Sequence, residues 1–310
     1  MNDRPERIVV VGQIARDLVV VVDETPEAHK AVPVRRRREM LGGKGANQAV
    51  GLAQLGVPVA LVGVIGEDAV ADALCSQARR DGIDVSGVIR RSGASTGLII
   101  DIVDSDGEWR YLEDLPDEVL LSENDIRAAG AVLAQASWVC VQLQQPIQAV
   151  RTAVDIARDA GARVILDGVP ADGGRELLEA CFALRADAHE AELLAGAPID
   201  SVDAALRLAR RLIEDGLSVV ALAIDPFGNV VVWEGGHLVL PLVDTPVVDT
   251  TGAGDAFVAG FTAALARGDS VSGAARLATA AAAATVGHPG GRPDLSQAVL
   301  DWYLRLLDES

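Results

Sequence analysis

The sequence predicts an α/β fold: a mostly parallel central sheet covered by helices on both faces, an α/β/α sandwich. Strand-like runs alternate with helical stretches through most of the 310 residues, which is the rhythm of a parallel sheet. The first strand, residues 8–12, is a continuous β-branched run rather than an alternating one, as suits a strand buried on both faces. Hydrophobic residues make 50% of the chain and aromatics only 3%, so the chain is not disordered and its core is built from Ala, Val and Leu. The length allows one or two domains. No internal repeat, low-complexity tract or linker divides it, so a single domain over residues 1–310 with small inserted hairpins is expected.

The elements follow in order. After the first strand, residues 18–22 read as a second. Gly42 and Gly43 precede a helix over 46–55, which Gly56 closes as a natural C-cap. Residues 59–64 form a strand, and Asp68 caps a helix that runs to about Arg80 and ends at Gly82. Residues 98–103 and 109–112 flank Asp104-Ser105-Asp106-Gly107, which reads as a hairpin with a glycine-containing turn. Ser122 and Asp125 resemble a capping box for a helix to about Gln135. Regular alternation then resumes: a strand at 138–142, a helix at 146–159 and a strand at 163–166. Short helices are expected near 175–180 and 190–194, and a longer one at 202–214. Strands at 219–224, 230–233 and 237–240 precede three helices at 253–266, 271–286 and 295–307.

Charge and cysteine use narrow the function. With 27 Lys and Arg against 45 Asp and Glu, the net charge of −18 makes nucleic acid or an anionic membrane a poor partner. No apolar run reaches the roughly 18 residues of a membrane span. Cys75, Cys140 and Cys181 are widely spaced and odd in number, which argues against a disulfide framework or zinc site and fits a reducing cytoplasm. The charged N-terminus runs directly into a strand, which is not the pattern of a secretory signal.

Two glycine-rich stretches carry the chemistry. Asp249-Thr250-Thr251-Gly252-Ala253-Gly254-Asp255 follows a strand-like Val247-Val248 and opens a helix. Unpaired N–H groups at a helix start, with two glycines permitting a tight nest, suit an anion such as phosphate. Asp255 then lies beside that anion. A carboxylate there has a purpose if it accepts a proton from an attacking hydroxyl. By itself the stretch also reads as a plain glycine turn with Asp255 as a helix cap. Gly42-Gly43-Lys44-Gly45-Ala46-Asn47-Gln48-Ala49 is a second glycine turn entering a helix. Lys44 and Asn47 share a face, offering a cation and an amide to a polyhydroxylated ligand near a phosphate. The alternative is a packing glycine pair with a solvated Lys44. A strict P-loop is excluded, because Gly45 follows Lys44.

GGKGANQAVGLAQLG from residue 42 and DTTGAGDAFVAGF from residue 249 resemble the two signatures of the ribokinase-like (PfkB) carbohydrate kinase family. Residues 66–88 resemble the family's segment at that place, and the likeness runs from Ile8 to Pro293. The resemblance implies a ribokinase-like α/β/α sandwich with a small β-sheet lid made from segments near 13–40 and 94–113. It implies an ATP-dependent sugar kinase. Asp255 would be the catalytic base, and Gly252, Ala253 and Gly254 the anion hole for the transferred phosphoryl group. Asp17, Gly43, Lys44, Asn47 and Gln144 fall on sugar-binding positions. Asp187, Glu190, Gly228, Gly254 and Thr279 fall on the nucleotide side. Glu190 would support Mg²⁺, and Asp249 and Thr251 would bind a monovalent cation such as K⁺. The implied partners are a small sugar, ATP and a second subunit joined through the lid.

The chain departs from the family pattern in four places. Ala15 stands where an Asn usually precedes the sugar-binding Asp by two residues. Gln144 stands where ribokinases tend to carry Glu. Asp187-Ala188-His189-Glu190 replaces N-x-x-E and adds a charge near the metal. Ala223-Ile224-Asp225-Pro226-Phe227-Gly228 keeps only the last glycine of the usual T-x-G-x-x-G nucleotide loop. The acceptor edits leave a nucleoside as an alternative substrate, and the degraded loop leaves a non-catalytic sensor as another. Retention of Asp255 favours a working kinase. The run Arg35 to Arg38 reads as a solvated lid strand, since alternate residues face opposite sides. The acidity of the chain requires a local exception around Lys44 and the N–H groups of residues 252–254 if ATP is to bind.

Overall fold

The structure is a computed structural model and describes residues 7–106, 109–171 and 174–309. Gly107 of the expected hairpin turn and the charged residues 1–6 lie outside the described residues.

The strands, in chain order, are β1 (Ile8–Val11), β2 (Ala15–Val22), β3 (Val34–Gly42), β4 (Val59–Gly66), β5 (Asp84–Arg91), β6 (Leu98–Val103) and β7 (Trp109–Asp114), then β8 (Trp138–Gln142), β9 (Arg163–Asp167), β10 (Ala183–Ala186), β11 (Val219–Ile224), β12 (Gly228–Trp233) and β13 (Gly236–Leu240). Nine of them form one sheet in the order β13-β12-β11-β10-β9-β8-β1-β4-β5. From β11 to β5 every pairing is parallel, and β12 and β13 add an antiparallel edge.

The continuous apolar runs are explained by burial on both faces. All of β1, β4 and β8 is buried. Within β1, Val9 and Val11 enter one core while Ile8 and Val10 enter the other. One face is covered by α3 (Glu123–Ala128), α4 (Gly130–Leu133), α5 (Ile147–Asp159), α6 (Ala188–Ala195) and α7 (Val202–Glu214). The other face is covered by α1 (Lys44–Gln54), α2 (Ala69–Arg80), α8 (Ala253–Ala266) and α9 (Val271–Thr285). The last helix, α10 (Gln297–Glu309), packs on α8 and α9 through Leu300, Tyr303 and Leu307. The near absence of aromatics is met by close approach: Gly260 of α8 lies against Ala278 of α9. Truncating a fully buried residue such as Ile8 to Ala would cost about 2–5 kcal/mol.

The expected caps form. Asp68 accepts from the Ala71 N–H, and Ser122 and Asp125 make a reciprocal capping box. The single helix expected to Gln135 is instead two, broken at Ala129, with Gly130 opening the second. Residues 175–180 form a 3₁₀ helix. Strands β5 and β10 were not among the sequence expectations: β5 is an edge strand with a mixed pattern, and β10 has only four residues.

The second sheet is small, in the order β3-β2-β6-β7. Strand β2 pairs antiparallel with β3 and parallel with β6, and β6 and β7 form the expected hairpin. Arg35 to Arg38 lie on β3 and are all exposed; Arg35 pairs with Asp23 and Arg37 with Glu39. This agrees with a solvated strand.

Candidate active site

In a parallel sheet the chain leaves every strand toward the same edge, and helix N-termini gather there. Here that edge collects the starts of α1, α6 and α8. Gly252 is the N-cap of α8 and adopts a left-handed conformation, φ 74°. A β-carbon on it would meet the Gly291 carbonyl, so only glycine fits both the angle and the space. Asp255 follows in the first turn and is 5% exposed. Its two oxygens accept from Gln48 Nε2 at 3.2 Å and Asn47 Nδ2 at 3.3 Å. Gln48 Nε2 also donates to Asp167 at 2.8 Å, which ties α1, β9 and α8 together. Burial, and then the charge of Asp167, pushes the Asp255 carboxyl up to about 7, while Lys44, Gln48 and Asn47 pull the other way. A carboxylate so poised takes a proton from a hydroxyl near neutral pH, since a base works best with its pKa near the working pH.

Beside Asp255 lies a cavity of about 460 Å³ lined by Lys44, Arg185, Asp187, Asp225, Gly252 and Gly254, among others. Arg185 projects from β10, and its guanidinium would stand 2.6 Å from a β-carbon on Gly254. It also meets Asp167 at 3.2 Å and Glu190 at 4.0 Å. Burial disfavours its charge, but Asp167, Glu190 and Asp187 more than offset this and raise its pKa. The N–H groups at the start of α8, Lys44 and Arg185 therefore form a cationic spot in an acidic protein, and they suit a phosphate chain.

Asp187 and Glu190 cap α6 reciprocally: Asp187 accepts from the Glu190 N–H and Glu190 from the Asp187 N–H, both at 2.8 Å. Gln144 is exposed and donates to Glu190 at 3.1 Å. Among the described residues no group of three or more His, Cys, Asp or Glu could hold a metal alone. A magnesium ion would need phosphate oxygens to complete its shell, which is how it usually binds with nucleotides.

The cavity opens into a second, more apolar one of about 310 Å³, lined by Leu242, Val243, Val247, Phe257 and Thr279. Thr279 accepts from Asn229 at 3.2 Å. Gly228 lines the first cavity, and Asp225 lines both. A polar chamber running into an apolar slot matches phosphates followed by a flat ring.

At the other end of the cleft, Asp17 of β2 lies against Gly42 and is 6% exposed. Burial, then the charge of Asp255, raises its carboxyl to about 7, while the Gly43 N–H lowers it. Asp17 Oδ1, Asn47 Oδ1 and Gln48 Oε1 have no hydrogen-bond partner. Ala15 is fully buried. Asp249 accepts from the N–H and Oγ1 of Thr251 and from the Gly290 N–H. Among the described residues no Lys or Arg pairs with this buried carboxylate, which fits a monovalent cation as its counter-ion. His288 is not engaged through Nε2.

From the two glycine-rich stretches, Lys44, Asn47, Gln48, Gly252, Gly254 and Asp255 thus meet at one cleft, while Ala46 and Ala49 are buried in the core. Sequence reasoning missed Gln48, Gln142, Asp167, Arg185 and the lid residue Asp101. Gln48 was within reach, standing next to Asn47 in the same motif. Gln142 Oε1 accepts from the Gln13 N–H, leaving its Nε2 without a partner. Asp167 and Arg185 are brought in by strand order alone.

The family model for "pfkB family carbohydrate kinase" matches residues 5–298. The chain is 29% identical to a ribokinase of Haemophilus influenzae over 289 residues, covering 93% of this chain and 94% of that one. It is 28% identical to a deoxyribokinase of Salmonella typhimurium over 288 residues, covering 91% and 93%. The solved structure of Arabidopsis thaliana ribokinase complexed with ribose and ATP superposes with a TM-score of 0.78 at 27% identity, covering 99% of this chain and 100% of the other.

Proposed function

The chain belongs to the pfkB family of carbohydrate kinases, and from that premise we propose that it transfers the γ-phosphoryl group of ATP to a hydroxyl of a small monosaccharide, with pentoses the first candidates. The observation that carries this is Asp255. It is buried beside a helix N-terminus with its carboxyl raised to about 7, next to a cavity that carries Lys44 and Arg185.

The acceptor hydroxyl is held toward Asp255 by Asp17, Gly43, Lys44 and Asn47. Its oxygen attacks the γ-phosphorus, its proton passes to Asp255, and ADP leaves with the bond to the bridging oxygen. Gly252, Ala253 and Gly254 present N–H groups to the charge that builds on the transferred group, and Arg185 faces it from β10. Mg²⁺, bound with ATP, would neutralise phosphate charge. Asp187 and Glu190 would steady its water shell, and Gln144 supports Glu190. Asp249 and Thr251 would hold a monovalent cation behind the anion hole, and Gly228 and Thr279 would border the nucleotide. The small sheet from segments near 13–40 and 94–113 acts as a lid on the single domain. It excludes water, so that ATP is not hydrolysed, and its open outer face is the surface for a homodimer. Cytoplasmic ATP is the donor.

The test is ADP release over a sugar panel for the wild type and Asp255→Asn. Sugar-dependent turnover that falls at least about a thousandfold in the variant is expected. Undiminished turnover removes Asp255 as the base, and no turnover by the wild type with any sugar removes the kinase reading.

A further inference from the structure

The register of the lid places one more polar group over the acceptor end. Val19 pairs with Arg38 on one side and with Asp101 on the other, and Asp101 pairs with Tyr111. The neighbouring row holds Asp17 beside Ile99. Paired residues share a face of a sheet, so Asp101 stands on the face that carries Asp17 and Val19. That face turns to the cleft, since Val19 lies against Gly290, whose N–H is bound by Asp249. Asp101 is 3% exposed, and no donor reaches either of its oxygens. Another carboxyl, Asp249, lies beside it and adds to burial in raising the Asp101 pKa rather than satisfying its oxygens.

Buried polar groups without partners are rare, and each needs an explanation. A carboxylate is the costliest kind, because both oxygens only accept when it is ionised. The other unpartnered atoms at this end are Asp17 Oδ1, Asn47 Oδ1, Gln48 Oε1, Gln142 Nε2 and His288 Nε2. Five acceptor oxygens therefore stand against two nitrogens. A ligand that satisfies them must bring hydrogens. The buried methyl of Ala15 offers none and asks for none, so polar contact missing from β2 is supplied across the lid from β6.

We infer that Asp101 is a specificity-determining residue, accepting hydrogen bonds from a donor-rich acceptor whose hydroxyls or ammonium group lie between the lid and Asp17. This rests on the kinase reading above. Both sources of hydrogen share one chemistry. An ammonium group would satisfy two carboxylates by charge as well, whereas neutral hydroxyls would satisfy them by hydrogen bonding alone.

The experiment compares wild type, Asp101→Leu and Asp101→Asn on a panel of neutral pentoses, neutral hexoses and 2-amino sugars. Turnover and the melting temperature of the ligand-free protein are both read. Asp101→Leu is expected to raise KM for the preferred acceptor by at least about tenfold, with KM for ATP unchanged, because the contact lies on the sugar. The ligand-free Leu variant is expected to melt above the wild type, since the unpartnered carboxylate is gone. Asp101→Asn keeps turnover of neutral sugars if hydroxyls are the donors and loses an amino-sugar preference if an ammonium group is. An acceptor KM within about twofold of wild type in the Leu variant overturns the inference. So does a lower melting temperature, or an effect confined to the K⁺ activation constant. Should the wild type phosphorylate nothing on the panel, the kinase reading falls. The melting comparison, with sugar-induced shifts of wild type against Leu, then still decides whether Asp101 meets a ligand.

Discussion

The two ends of the cleft are built differently. At the phosphoryl end, four carboxylates have partners. Asp255 has Gln48 and Asn47, Asp167 has Gln48 and Arg185, and Asp187 and Glu190 cap one another. These residues hang from central strands and helix starts that are buried on both sides. At the acceptor end, Asp17 and Asp101 are buried with three oxygens that no donor reaches, and half of the enclosure is a thin sheet whose strand β3 is exposed from Val34 to Glu39. The completed end performs a reaction that is the same for every substrate, so its geometry can be finished in advance. The incomplete end waits for the ligand that finishes it, and it is where a family can change substrate without touching chemistry.

The largest effect that could break this contrast lies at Arg185. If it faces transferred charge, Arg185→Met lowers kcat by about a hundredfold and leaves KM for the sugar unchanged. Steady-state kinetics with both substrates varied separates the two constants. A loss of melting temperature with kcat retained would make Arg185 only the counter-ion of Asp167 and Glu190, and the cationic spot would shrink to Lys44 and the α8 N–H groups.

Much of this was legible in sequence and some was not, for physical reasons. The glycine-rich stretches are local: the residues that make a helix start also make the anion site, so residues 249–255 reveal both together. The buried strands β1, β4 and β8 were legible because burial on both faces forces continuous apolar runs. Arg185 and Asp167 carry no local signal. They meet only because β9 and β10 are neighbours in the sheet, and β10 is too short to announce itself. Asp101 looked like one polar residue in the apolar run of β6; only the pairing with Val19 reveals which face it takes. The break in the 122–135 helix is set by Ala129 and Gly130, where propensity alone favours continuing through the alanine.

A middling effect comes from pH. Asp255 must have lost its proton to act as base, and its carboxyl is raised to about 7. Turnover should therefore climb with pH through about 7, falling by about tenfold per unit below it. Asn47→Leu removes a donor that favours the ionised form, so the limb should move to higher pH. A pH profile of kcat/KM for the two proteins measures both. A limb that stays near the ordinary carboxylate range would mean that Asp255 is not the titrating base, and the completed end would lose its central member.

The smallest effect is expected on the outside of the lid. Arg35 and Asp23 are paired there, and the pairing lowers the Asp23 pKa through the hydrogen bond from Arg35. Both side chains stand in water, with relative exposures of 62% and 58%. Exposed pairs gain little, because solvent screens them and two long side chains must be held in one geometry. Val21 pairs with Arg36 and Val22 with Val34, so the ladder skips Arg35 at a bulge and its exposed side chain is held by Asp23 rather than by the strand row that carries Asp17 and Val19. Arg35→Ser should leave kcat, both KM values and the melting temperature where they were. Calorimetry and kinetics on the one variant suffice. A rise of more than about fivefold in sugar KM would show that the outer face transmits to the acceptor, so that the lid acts as one bistable body rather than a sheet with a reading side and a solvent side. Sedimentation of the same variant adds a separate reading. A changed assembly state with unchanged kinetics would place the subunit contact on this face and leave the contrast between the two ends intact.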